Sequence, residues 1–202
     1  WQRRYGRCIA ASPAVDDGVV YLPLMHPSPC GDPDRSAPGY LLALDAETGD
    51  ELWRFEAGVI ESSPLLVDGL LYVGSWDRHV YAIDAATGAV RWSFETGDEV
   101  KAAVAYANGT VFVGSYDGKV YALDARSGDE RWSAEAQGGI GGAGNFYATP
   151  AVAFGRVYIG NTDGRMYSFE KDTGRLAWSK STGDFVYAAA AVADTTDTSP
   201  TV

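Results

Sequence analysis

The chain has 202 residues, 46% of them hydrophobic and 21% charged, which is the composition of a folded domain with one sizeable core and not of a disordered segment. A formal net charge of -11, from 27 acidic against 16 basic residues and with no basic run, repels a phosphate backbone and excludes nucleic acid as an expected partner. No apolar run approaches the roughly 20 residues that span a bilayer, so no transmembrane segment is expected in this stretch, and any signal or anchor would lie outside it.

Taken in chain order, Trp1 reads as the tail of a repeat whose remainder precedes it, with a partial unit over residues 1–5. Cys8 follows, and Cys30 sits in a loop stiffened by Pro27, Pro29 and Pro33. The two cysteines have neither C-x-x-C spacing nor a metal-ligand pattern, and the prolines make the neighbourhood of His26, Asp32 and Asp34 a poor cation cage, so no metal site is expected. In an exported protein a Cys8–Cys30 disulfide is expected, which requires Cα atoms within about 7 Å.

The first full copy of a repeat spans 10–58; it starts "ASPAVDDGVVYLPL", is interrupted by an insertion from Met25 to Gly39, and finishes "YLLALDAETGDELWRFEAG". Three further copies span 62–97, 101–137 and 147–183, and 186–202 is the head of another. Inside a copy every signal is strand or turn. "SPLLV" is a short apolar run, Asp68-Gly69 a hairpin signal, "LLYVGS" and "HVYAID" follow on either side of Asp77-Arg78, and "ATG" turns into "AVRWSFE". Nothing carries a 3.6-residue period long enough for a helix. Four short strands per unit of roughly 36 to 40 residues predict an all-β propeller of four-stranded antiparallel blades; a parallel solenoid would have shorter rungs and no need of two tight hairpins per unit.

Position by position, the copies assign physical jobs. Gly74, Gly114 and Gly160 in the second strand allow close approach of a neighbour, and Tyr81, Tyr121 and Tyr167 in the third are large packers whose hydroxyls can reach a turn. Gly49, Gly88, Gly128 and Gly174 close the turn after that strand. Four residues after each comes Trp53, Trp92, Trp132 or Trp178, equivalent to Trp1 and expected to lie over the turn glycine of a neighbouring blade; Trp76 alone falls outside the set. Five buried rings are predicted, with Trp92→Ala costing roughly 3 to 5 kcal/mol as a large-to-small core change.

Candidate chemistry is sparse. Gly139 to Gly144 satisfies G-x-G-x-x-G, but it lies between two strands, without the helix N-terminus that a pyrophosphate needs, and reads as an inter-blade loop. Asn145, Phe146 and Tyr147, next to it, are the candidate contact patch. His79 aligns with Lys119 and Arg165 as an exposed basic position, and Arg78 replaces the glycine of sister turns, implying a positive φ. No catalytic, cofactor-binding or metal-ligating residue is assigned.

The stretches "ALDAETGDELW" (43–53) and "AIDAATGAVRW" (82–92) resemble the A-x-D-x-x-T-G-x-x-x-W tryptophan-docking motif of the pyrroloquinoline-quinone-type propeller repeats. "ALDARSGDERW" (122–132) matches with Ser127 for Thr, and "SFEKDTGRLAW" (168–178) departs at Ser168 and Glu170. The resemblance implies about four full blades, with partial blades at both ends, of a seven- or eight-bladed ring completed by missing sequence or by a second copy. It implies two functions. One is a non-catalytic extracytoplasmic scaffold or sensor of prokaryotes that binds a protein partner and no cofactor. The other is a fragment of a quinone-dependent alcohol or sugar dehydrogenase, which would add a Glu/Asn/Asp-bound metal, a catalytic Asp and often adjacent cysteines, none of them assignable here. Acidic residues such as Asp45, Asp84 and Asp124 recur at the same turn in several blades, which marks scaffold.

Overall fold

Alternating apolar residues bounded by Asp-Gly, Asn-Gly and Thr-Gly pairs can bury one face only in short antiparallel strands, and the computed structural model, which describes residues 1–27, 30, 37–138 and 144–192, contains sixteen of them. They form four four-stranded antiparallel sheets, each in simple sequence order. The first is β1 (Ala14–Asp16), β2 (Val19–Leu24), β3 (Gly39–Asp45) and β4 (Glu51–Ala57). The second is β5 (Leu65–Val67), β6 (Leu70–Gly74), β7 (His79–Asp84) and β8 (Val90–Glu95). The third is β9 (Ala105–Ala107), β10 (Thr110–Gly114), β11 (Lys119–Asp124) and β12 (Glu130–Glu135); the fourth is β13 (Ala151–Ala153), β14 (Arg156–Asn161), β15 (Arg165–Glu170) and β16 (Leu176–Ser181). No helix occurs among the described residues.

The sheets stack face to face as propeller blades, and the core lies between them. Leu41, Ile60, Leu71 and Ile83 fill the space between the first two blades, Val80, Val104, Val111 and Leu123 the next, and Phe112, Phe146, Ile159 and Phe169 the last. Gly74 is required by this spacing, because a Cβ there would sit 2.4 Å from the Val100 side chain.

All three interfaces are fastened at the tryptophan end, and the first two also by an aspartate at the other end. At one end a bulge between the third and fourth strands sets the tryptophan against the next blade: the ladder pairs Ala82 with Trp92 and Ile83 with Val90, so Arg91 is the extra residue. The Trp53, Trp92 and Trp132 rings lie on Gly88, Gly128 and Gly174, where a Cβ would come within 2.6 to 2.8 Å of ring carbon, and their Nε1 atoms donate to the carbonyls of Ala85, Ala125 and Lys171 at 2.8 to 3.0 Å. Trp1 docks in the same way on Gly49 and donates to Ala46 O at 2.9 Å. At the other end, the turn aspartate between the second and third strands accepts from its own blade and from the one before. Asp77 Oδ2 takes the Tyr81 hydroxyl at 2.9 Å and the Gly58 amide at 2.9 Å; Asp117 takes Tyr121 at 2.5 Å and the Gly97 amide at 2.8 Å. Asp163 accepts from the Tyr167 hydroxyl.

The two ends of the stack differ from the sequence expectation. Only Trp92 and Trp132 are fully buried; Trp1 is 60% and Trp178 37% exposed, because among the described residues no blade covers the outer side of either ring. Trp178 docks on no turn glycine, each of the four being taken by another ring. Neither residues 1–5 nor 186–192 form a strand, no further sheet standing beside them among the described residues, and the rest of the expected trailing strand lies outside those residues. The N-terminal segment instead covers the outer face of the first blade, where Leu24, Leu42 and Leu44 are buried. Cys8 and Met25 exchange backbone hydrogen bonds with His26 and Cys8, the Arg7 guanidinium lies 4.4 Å over the Tyr40 ring, and Cys8 and Cys30 are joined by a disulfide with Cα atoms 5.6 Å apart.

Replacing Trp92 by alanine removes a ring that is 8% exposed and strands both Gly128 and the Ala125 carbonyl; the expected loss in urea unfolding is about 3 to 5 kcal/mol. Trp178→Ala, lacking a turn beneath it, is expected to cost less than half as much, and equal losses would contradict the docking account.

Candidate functional site

Side chains that recur in every blade are accounted for by blade fastening, so unrepeated chemistry is where a function can reside. The residue four positions before the first strand of each blade is such a position: it reads Ala10, Glu61, Lys101 and Tyr147, and Tyr187 is its equivalent in the segment after the fourth blade. All five line one cleft of about 210 Å³, which five successive units can share only at the propeller axis.

Within the cleft the groups are tied to one another. Tyr147 donates its hydroxyl to Glu61 Oε1 at 2.7 Å across 86 residues of sequence, and Trp76 Nε1 donates to Glu61 Oε2 at 3.1 Å. The Lys101 ammonium lies 3.9 Å from the Trp76 ring centroid and 4.6 Å from that of Tyr116, with Glu99 Oε2 at 3.1 Å. Its side chain is only 9% exposed, so this is a lysine caged by two rings and a carboxylate. The aromatic series continues outward: Tyr116 packs on Tyr147, Tyr147 meets Tyr187 edge-on at 5.3 Å, and Phe185 meets Tyr187 at 6.0 Å. Phe185 and Tyr187 are 60% and 53% exposed and form the open margin of the cluster. Trp76 packs its body against Cys8, Met25 and Val59, which connects the cluster to the disulfide-bonded segment.

Burial, followed by the Glu61 carboxylate, raises the Tyr147 phenol well above its ordinary range. The blade phenols Tyr81, Tyr121 and Tyr167 are raised in the same way, by burial first and then by their turn aspartates, and burial pushes Tyr72 up to about 12. Among the described residues no three His, Cys, Asp or Glu side chains are grouped to hold a metal ion.

The candidate contact patch of Asn145, Phe146 and Tyr147 is not one. Phe146 is fully buried, its Cβ where a Gly114 side chain would stand, because it occupies the register position of Ile60 and Val100 between blades. Asn145 bonds through its backbone to Thr162, and only Tyr147 belongs to the axial cluster. The glycine run from Gly139 to Ala143 lies outside the described residues. His79 is half-buried and stacks on Tyr81 at 5.6 Å in place of the exposed position expected, while Arg78 has φ +75°. His26 is buried, its Nδ1 2.8 Å from Pro27 O. Sequence reasoning missed Glu61, Glu99, Lys101 and Tyr116; the signal was available in the pre-strand column, where one position changes from acid to base to phenol.

The raised phenols stabilise the fold as neutral groups. That contribution is complete below the ordinary phenol pKa near 10 and is lost as pH rises through the folded values. Tyrosinate absorbance should therefore show a separate late step, in which Tyr21, Tyr72, Tyr81, Tyr121, Tyr147 and Tyr167 ionise together with loss of the near-UV circular dichroism. One step with tertiary structure intact would refute the buried hydrogen bonding.

The family model described as outer membrane protein assembly factor BamB matches residues 1–104 and 77–197. Among solved structures, BamB from Moraxella catarrhalis is 23% identical, with a TM-score of 0.66, over 87% of this chain and 50% of that one. A quinohemoprotein alcohol dehydrogenase from Comamonas testosteroni is 19% identical, with a TM-score of 0.71, over 89% of this chain and 36% of that one. The computationally designed Ika8 protein is 17% identical, with a TM-score of 0.66, over 91% and 65%. At these identities the likeness is one of fold, and the chain spans half of the Moraxella protein and about a third of the dehydrogenase. No curated protein matches the sequence.

Proposed function

Since the chain belongs to the pyrroloquinoline-quinone-like propeller family described as outer membrane protein assembly factor BamB, we propose that it is a non-catalytic scaffold that binds a protein partner outside the cytoplasm. The observation that carries this reading is the axial cluster. Its acid, base and phenol are engaged with one another, and what it offers outward is half-exposed aromatic surface, Phe185 and Tyr187, of the kind that anchors protein contacts. The Cys8–Cys30 disulfide suits an oxidising compartment. No helix among the described residues is long and apolar enough to cross a membrane.

The dehydrogenase neighbours raise a second reading, with pyrroloquinoline quinone bound at the axis. That quinone carries three carboxylates on a flat ring system. Lys101 is the one basic side chain in the axial cleft among the described residues; Glu99 already neutralises it, Glu61 lies beside it, and its ammonium occupies a face of Trp76. These residues do not fit the quinone, and no redox step is derived from them.

Photo-crosslinking in the native host from a benzoylphenylalanine at position 187 is expected to give a discrete protein adduct, while the same residue at exposed position 154 of the fourth blade gives none. Addition of pyrroloquinoline quinone and calcium is expected to leave the melting temperature unchanged. A rise of several degrees, accompanied by dye-linked alcohol oxidation, would replace the scaffold by the enzyme.

A further inference from the structure

The end of the stack opposite the axial cluster, where the turns between first and second and between third and fourth strands gather, holds a second cleft, of about 750 Å³, between the first two blades. One residue on its floor departs from the second and third blades. The bulge that sets each tryptophan carries Arg91 in the second blade and Arg131 in the third. Both fold back seven residues to an aspartate, Arg91 to Asp84 at 2.6 Å and Arg131 to Asp124 at 2.7 Å. The first blade has Leu52 at the bulge, and the fourth has Ala177. Leu52 cannot pair with Asp45, which accepts from the Glu47 and Thr48 amides and forms no ion pair among the described residues. Leu52 is left 54% exposed, and Trp53 stays half-buried where Trp92 and Trp132 are 8% and 9% exposed.

The cleft therefore has an apolar floor, Leu52 and Trp53 with Val19 and Leu70, below a rim bearing Asp16, Asp17 and Asp68, with the Arg91–Asp84 pair and one further cation, Arg126, also in its lining, so that carboxylates outnumber cations there. None of these three carboxylates has an ion-pair partner among the described residues, and they lie on a chain whose net charge is -11. We infer that this cleft docks a segment of a partner protein in which a lysine or arginine adjoins a large apolar side chain, the apolar group resting on Leu52 and Trp53 and the cation meeting the aspartate rim. The inference rests on the scaffold reading for the nature of its occupant, a protein, but it places the contact at the opposite end from Tyr187.

The test uses the purified chain and a fluorescein-labelled hexapeptide, Gly-Lys-Leu-Lys-Phe-Gly, followed by anisotropy. The peptide should bind and weaken with added salt, whereas versions with glutamate for both lysines, or serine for leucine and phenylalanine, should bind at least about tenfold more weakly. Leu52→Arg, which installs the pairing of the sister blades and places a cation on the floor, should weaken binding about tenfold or more, and Asp16→Asn with Asp68→Asn on the exposed rim should do the same without touching the core. Tyr187→Ala should leave it unchanged. Absence of binding, equal binding of the lysine and glutamate peptides, or full affinity in both cleft variants with unaltered melting temperatures would overturn the inference. The scaffold reading would survive such a result if crosslinking from position 187 succeeded, and would fail separately if it did not.

Discussion

A tryptophan lying on a glycine is the contact from which the rest of this architecture follows. A four-stranded sheet with strands of three to seven residues cannot bury enough surface to stand alone, so each blade exists by virtue of its neighbour. The Trp92 indole brings a large apolar face, a single donor that fits one carbonyl, and a shape that admits only a glycine beneath it. That glycine must also turn the chain at positive φ, so one residue type answers two demands at one point. The bulge before the tryptophan belongs to the same device, because without the extra residue the ring would continue the pleat of its own strand.

A scaffold fastened by repetition leaves its exceptions free for function, and the two exceptional regions here are of different kinds. At the axis the four blades and the segment after the fourth each contribute one side chain, and a lysine, two acids and four aromatic rings satisfy one another. Such a cluster is rigid and specific, and it presents ring edges in place of reactive groups. Between the first two blades the exception is a loss: the bulge position that holds an ion-paired arginine in the second and third blades holds a leucine in the first, and the apolar floor there remains open. Addition at one site and subtraction at the other both depend on the repeat being otherwise regular.

The fold was legible in the sequence because propeller repeats write their structure locally. Period-two alternation, Asp-Gly turns and the Thr-Gly to tryptophan spacing each depend on residues within one hairpin, and the alignment of copies supplied the rest. The axial cluster was not legible in that way. Glu61 and Tyr147 meet only because two blades curve around a common axis, and no spacing within either copy encodes that distance. Phe146 was misplaced for a related reason: its neighbours in sequence suggest a loop, while its register makes it a wedge between blades. Burial at Trp1 and Trp178 depends on what stands outside each ring, which is a property of the stack and not of the motif.

Every docked tryptophan precedes in sequence the glycine it covers: Trp1 before Gly49, Trp53 before Gly88, Trp92 before Gly128, Trp132 before Gly174. During synthesis the clasp of each blade is thus made before the catch, and a blade leaving the ribosome meets a finished neighbour already presenting its indole. Growth of the stack is vectorial. Each later blade is accepted or rejected by the one made just before it.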